Sequence, residues 1–193
     1  RRNPMTAPHP SRPRAPRPRR SATLATALAA CLPLLSPADT PVTVFSGMCD
    51  ASAVIPLNTR FQAVADDEDN LLRVYDRSRG GPPVWSLDLS TFLGVDPKEP
   101  EVDIEAGTRV GNRIYWISSH GRNRKGKLRT SRHRFFATDI LQGPRHPVLQ
   151  PVGLPRTQLL SEMLRDRRFA SLGLARASLL PPKSQGALSI EGL

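Results

Sequence analysis

Two stretches of this sequence follow one plan: Arg60-Phe-Gln-Ala-Val-Ala-Asp-Asp-Glu-Asp-Asn70 and Arg113-Ile-Tyr-Trp-Ile-Ser-Ser-His-Gly-Arg-Asn123. Each begins with Arg, runs through a short apolar stretch and ends in a polar tip closed by Asn. The step from position 60 to position 113 is 53 residues, close to the size of one sheet-forming repeat unit. A unit of that size cannot bury its apolar face alone, so a chain with this pattern stacks like units side by side.

The flanking sequence carries the same signature. From Val42 onward, short segments rich in β-branched and aromatic residues are punctuated by Gly, Pro, Asp and Asn, as expected of strands and turns. The 20 Pro and 13 Gly among 193 residues suit a turn-rich body with few long helices. The expected fold is all-β, with four strands per unit arranged radially as blades of a β-propeller. The first blade reads as Phe45–Ile55, Phe61–Ala65, Leu71–Tyr75 and Val84–Leu89. The second reads as Ile104–Val110, Arg113–Ser118, Arg134–Ile140 and Val148–Val152, and a third opens at Ala187–Leu193. Between positions 156 and 180 the period changes. Leu159, Leu160, Met163 and Leu164 fall at helical spacing behind Thr157 as N-cap, which predicts a short inserted helix.

The formal charge of +11 points toward nucleic acid until it is divided along the chain. Residues 1–38 hold seven Arg and no acid, so the other 21 of the 28 basic residues face 17 acidic ones. That leader reads as a disordered, export-type segment. A basic region (Arg12, Arg14, Arg17, Arg19, Arg20) precedes an apolar stretch from Ala22 to Leu35, and Ser36-Pro37-Ala38 suits cleavage before Asp39. Leu28-Ala29-Ala30-Cys31 also has the form of a lipobox, in which Cys31 would carry a lipid anchor. The stretch is too short for a transmembrane helix, and Pro33 interrupts it. The expected location is therefore periplasmic or extracellular, with residues 39–193 as the N-terminal part of the propeller domain. Cys49 is expected as a small buried residue of an inner strand.

If strands alternate in direction within a blade, the second-to-third loops and the starts of inner strands share one face. The acidic tip Asp66, Asp67, Glu68, Asp69 then meets the basic loop His120, Arg122, Arg124, Lys125, Lys127. Asp50, Asp103, Glu105 and Glu191 open inner strands on that face. Carboxylates crowded in a tight loop suit a hard cation such as calcium, with Asp50, Asp66, Asp67, Asp69, Glu105 and Glu191 as its candidate ligands. The tip Asp66–Asn70 also fits a solvated turn or a salt-bridge partner of the basic loop, and Asp50, Glu105 and Glu191 also fit acceptors of backbone hydrogen bonds at blade junctions. The basic loop suits a small anionic ligand, its Arg forks matching phosphate or carboxylate. Nucleic acid is not expected, because no aromatic stacking residues interleave with the charges. No serine-histidine-acid order or zinc spacing is present, and His9, His120, His133 and His146 form no ligand motif.

The segments Ser46-Gly-Met-Cys-Asp-Ala-Ser52, Ala65-Asp-Asp-Glu-Asp-Asn70, Asp103-Ile-Glu105 and Ile114-Tyr-Trp-Ile-Ser-Ser-His-Gly-Arg-Asn-Arg-Lys-Gly-Lys-Leu128 resemble the bacterial domain of unknown function 3616 family. The resemblance covers roughly residues 44–193. It implies a β-propeller related to esterase-like phytases, without an established activity, and further blades beyond Leu193. Two functions follow as expectations. One is a binding or scaffold module for an anionic ligand; the other is a metal-assisted phosphoesterase, a phosphoric-ester hydrolase.

Overall fold

The computed structural model describes residues 42–193; the leader expected over residues 1–38, with its cleavage site and Cys31, lies outside them. The described chain is mostly β, in two four-stranded antiparallel sheets with strands in consecutive order. The first sheet holds β1 (Ala51–Pro56), β2 (Phe61–Asp66), β3 (Leu71–Asp76) and β4 (Trp85–Asp88). A one-turn helix α1 (Ser90–Leu93) leads to β5 (Ile104–Val110), β6 (Arg113–Ser118), β7 (Phe135–Gln142) and β8 (Pro147–Arg156). No described helix is long and apolar enough to cross a membrane.

The sheets share more than strand order. Each first strand carries a bulge against its second strand, at Ser52 between Ala51 and Ala53 and at Glu105 between Ile104 and Ala106. Those two bulges lie 53 residues apart, as do Arg60 and Arg113. The second strands, however, are offset by 52. Phe61 faces Asp76 across its ladder where Arg113 faces Asp139, because Gly111-Asn112 turns the chain in one residue fewer than Asn58-Thr59-Arg60. Gly111 meets the tighter turn with φ 62°, a conformation that costs glycine nothing. Both arginines still reach the equivalent aspartate, Arg60 bonding Asp76 at 2.7 Å and Arg113 bonding Asp139 at 2.7 Å.

The sheets stack in one sense. The core joins Ala53, Ile55, Ala63, Leu72 and Val74 of the first sheet to Ile114, Trp116, Phe136 and Ile140 of the second. By ladder register these are opposite faces of the two like units, so the second sheet sets its front on the back of the first. Trp116 is fully buried at this seam and donates Nε1–H to Thr138 Oγ1 at 3.0 Å. Burying such a ring contributes about 3 kcal/mol. Gly107 makes room for it, since a Cβ there would lie 2.8 Å from Trp116 and 3.3 Å from Ile55. Asn70 fastens the crossover, accepting from Val102 N–H at 3.1 Å and donating to the Pro100 carbonyl at 2.8 Å.

Four expectations are corrected. The first strand begins at Ala51 rather than Phe45, which forms only an isolated bridge with Gly81. The backbone N–H groups of Cys49 and Asp50 bond the Asp66 carboxylate instead of a neighbouring strand, at 2.7 and 3.3 Å. Cys49 is consequently exposed rather than buried in a strand. The segment Ala187–Leu193 forms no strand; it bonds Ser119 O through Ile190 N–H at 2.9 Å and otherwise runs as irregular chain. The inserted helix is three short pieces: α2 (Leu159–Arg165), a 3-10 segment Arg167–Leu172 and α3 (Leu174–Ala177). Asp166 breaks it by capping Arg168 N–H at 2.9 Å, and Gln158 rather than Thr157 stands at the N-cap.

Candidate functional site

Strand alternation brings the β2–β3 turn, the β6–β7 loop and the start of β5 to one end of the sheets. They line a polar cavity that holds Asp67, Asp103 and Glu105 together with Arg122, Arg124 and Arg132, with the exposed Lys183 and Glu191 also lining it. One ligand oxygen from each of Asp67, Asp103 and Glu105 lies within 4.8 Å of the others.

Each carboxylate is aimed by a local device. Glu105 is the bulged residue of β5, left out of the ladder so that its side chain escapes the alternation of the strand. Asp103 adopts φ 61°, a left-handed conformation that Asp tolerates better than most side chains. Its carbonyl accepts Ser119 N–H at 3.0 Å, and its Oδ2 accepts Ser119 Oγ and Arg132 Nη1, the latter at 2.8 Å. Asp67 is tied through its backbone N–H to Asp50 O at 3.2 Å, and its Oδ1 is buried without a hydrogen-bond partner.

The electrostatics follow from crowding. Desolvation first, then the neighbouring charges of Asp103, Glu191 and Asp67, push the Glu105 carboxyl up to about 8, against a smaller opposing effect of Arg132. Desolvation and then Asp50, Asp103, Glu68 and Asp66 push Asp67 up to about 6. At neutral pH Glu105 therefore holds a proton where a cation would otherwise compensate the cluster.

The expected ligand set divides. Asp67 and Glu105 face one another in the cavity, and Glu191 joins its rim as an exposed group. Asp66 does not: it is 1% exposed and accepts the backbone N–H groups of Cys49, Asp50 and Glu68, a structural plug for the strand end. Asp69 turns away, bonding Arg73 Nη1 at 3.0 Å and Leu71 N–H at 2.9 Å. Asp50 is exposed and acts on the site through its charge on Asp67.

The basic loop divides as well. Arg122 lines the cavity, but its Nε and Nη1 are spent on the carbonyls of Ser178 and Gly126, at 2.8 and 2.9 Å. Arg124 borders both this cavity and a shallow neighbouring groove that also takes Lys125 and Lys127. Lys127 is paired with Glu99 at 2.9 Å. His120 is absent from the cavity lining; with φ 54° it turns its ring under the loop, beside His133. Sequence reasoning places Asp103 on this face without singling it out, though Asp103 and Glu105 at alternate positions before a strand are a usable signal. Arg132 and Lys183 have no such signal, since each is one cation among many. No protein family matches this chain, and neither a curated protein nor a solved structure does.

Proposed function

We propose that this chain is part of an exported β-propeller acting as a binding module. Asp67, Asp103 and Glu105 take one hard divalent cation, calcium by preference, and Arg124 with Lys183 takes a small anionic, phosphate-bearing ligand beside it. The convergence of three carboxylate groups, one oxygen of each within 4.8 Å of the others, together with a buried, unpartnered oxygen on Asp67, carries this reading. All-oxygen donors suit a hard cation, and the remaining positions of a shell of about six to eight ligands fall to water and to the ligand's own oxygens. One-sense stacking of like sheets supports the propeller, because a front-to-back contact leaves each unit a further face for the next. The Arg-rich leader supports export.

A second reading, metal-assisted phosphoester hydrolysis, is favoured by Glu105. In that reading Asp67 and Asp103 hold the cation, and Glu105 stays outside its shell with its proton, as a general acid for a leaving alkoxide. Calcium titration of the full chain by calorimetry, followed by inorganic phosphate and then a phosphate monoester, separates the two. Binding of calcium and phosphate without turnover supports the module, turnover supports the enzyme, and no calcium binding overturns both.

A further inference from the structure

Arg122 also borders a second cleft, of about 190 Å³, between the β6–β7 loop and α2. Its polar lining is His120, His133, Arg122, Thr157, Ser161 and Ser178, and its apolar lining is Leu128, Leu160 and Leu164. No carboxylate lines it among the described residues.

The two imidazoles define its chemistry. His120 is 2% exposed, and its Nδ1 lies 2.8 Å from the Ser118 carbonyl, so the proton sits on Nδ1 and donates there. Its Nε2 is then a bare lone pair, buried without a partner. The Nε2 of His133 is buried without a partner too, and the ring centroids are 5.3 Å apart. Two neighbouring imidazoles that line the cleft each carry a buried, unsatisfied nitrogen, and a ligand entering beside them completes the hydrogen bonding.

Charge selects the ligand. Arg122 faces the pair from the loop, and Arg134 faces it from the approach to β7, its guanidinium held by the carbonyls of Leu93 and Thr130. On α2, Glu162 is occupied by Arg156, and Arg165 Nε is bonded to Ser161 O. The local excess is positive. That disfavours a metal cation, for which the lining also lacks thiolate or carboxylate, and it favours an anion.

We propose that this cleft binds a carboxylate with a compact apolar body, its head held by His120, His133 and Arg122 and its body against Leu128, Leu160 and Leu164, with one proton taken up from solvent. The site is independent of the calcium reading. Its pH dependence has a defined sign. Burial first, then His120, Arg134 and Arg122, lower His133 to about 4, and burial likewise lowers His120. Both rings are neutral in the empty protein at pH 7. A bound carboxylate favours the imidazolium, so affinity falls by about tenfold for each pH unit above about 4 when one proton is linked.

The test is a benzoate titration of the full chain with ¹⁵N-labelled histidine, observed by NMR at two pH values about two units apart, near 5.5 and 7.5. The expected result is about 100-fold tighter binding at the lower pH, with the ¹⁵N shift of one buried Nε2 moving toward the protonated value. His133→Gln, at a half-buried position, weakens benzoate and flattens the pH dependence. Benzyl alcohol bound as tightly as benzoate with no pH dependence would overturn the proposal, as would inorganic phosphate bound as tightly as benzoate. Histidine signals shifted by zinc but not by benzoate, or unmoved by every probe, would overturn it also.

Discussion

Asp66 in the first sheet and Ser118 in the second occupy the same register, each opposite the residue that precedes the bulge of its first strand. Asp66 gathers three backbone N–H groups and closes a turn of four residues before β3. Ser118 instead accepts Arg134 N–H at 2.8 Å and donates to the Arg132 carbonyl, closing a loop that runs from Ser119 to Arg134. At the bulges the same divergence recurs. Ser52 donates to the Ile104 carbonyl and ties the sheets together, while Glu105 is left to face the acidic cavity. A shared backbone frame thus carries a fastening at the end of each second strand, while at the bulges a single side chain decides between a tie across the sheets at Ser52 and a cavity-facing carboxylate at Glu105.

The largest expected difference between the sheets lies at Gly107 and its counterpart Val54. Gly107→Val forces a side chain into Trp116 and Ile55 and lowers stability by about 3 kcal/mol, while Val54→Gly, at a half-exposed position, costs about 1 kcal/mol. Denaturant midpoints of the two variants measure this, and equal losses would break the one-sense stacking. Next in size is the pair of plugs. Asp66→Ala leaves three backbone donors without an acceptor and costs about 2–3 kcal/mol, against about 1 kcal/mol for Ser118→Ala.

A smaller effect separates the bulges by pH. The Glu105 carboxyl is raised in the folded state, so between about 4.5 and about 8 the folded protein binds more protons than the unfolded chain. Stability of the metal-free protein therefore falls as pH rises through that window. Glu105→Gln flattens the fall by about 1–2 kcal/mol, the effect being cut by solvent at a partly exposed group, and Ser52→Ala does not change the slope. Thermal melting across the window with a chelator present reads it. Smallest of all, Arg124→Ala shifts stability by less than about 0.5 kcal/mol while weakening phosphate binding several-fold, as a cation placed for a ligand rather than for the fold.

The strands from Phe61 to Val152 are legible because each is a short apolar run closed by turn residues, and those signals are local. The start of β1 is not, because Cys49 and Asp50 are drawn off by Asp66, 16 or 17 positions away. The inserted helix shows its apolar spacing in Leu160, yet Asp166 interrupts it through a cap that periodicity does not report. Of the candidate site, the face is legible and the orientation is not. Asp67 and Glu105 meet as alternation of the strands requires, whereas Asp69 is captured by Arg73 four residues on. His120 turns inward because a left-handed backbone at its position reverses the expected direction of the loop.

Calorimetric titration of calcium into the full chain at pH 7, in two buffers of different ionisation enthalpy, tests the cation site most directly. One site is expected, with an apparent enthalpy that changes with buffer, because about one proton leaves Glu105 as calcium enters. Asp67→Asn combined with Glu105→Gln abolishes that site. Absence of calcium binding, or binding that survives in the double variant, would contradict it.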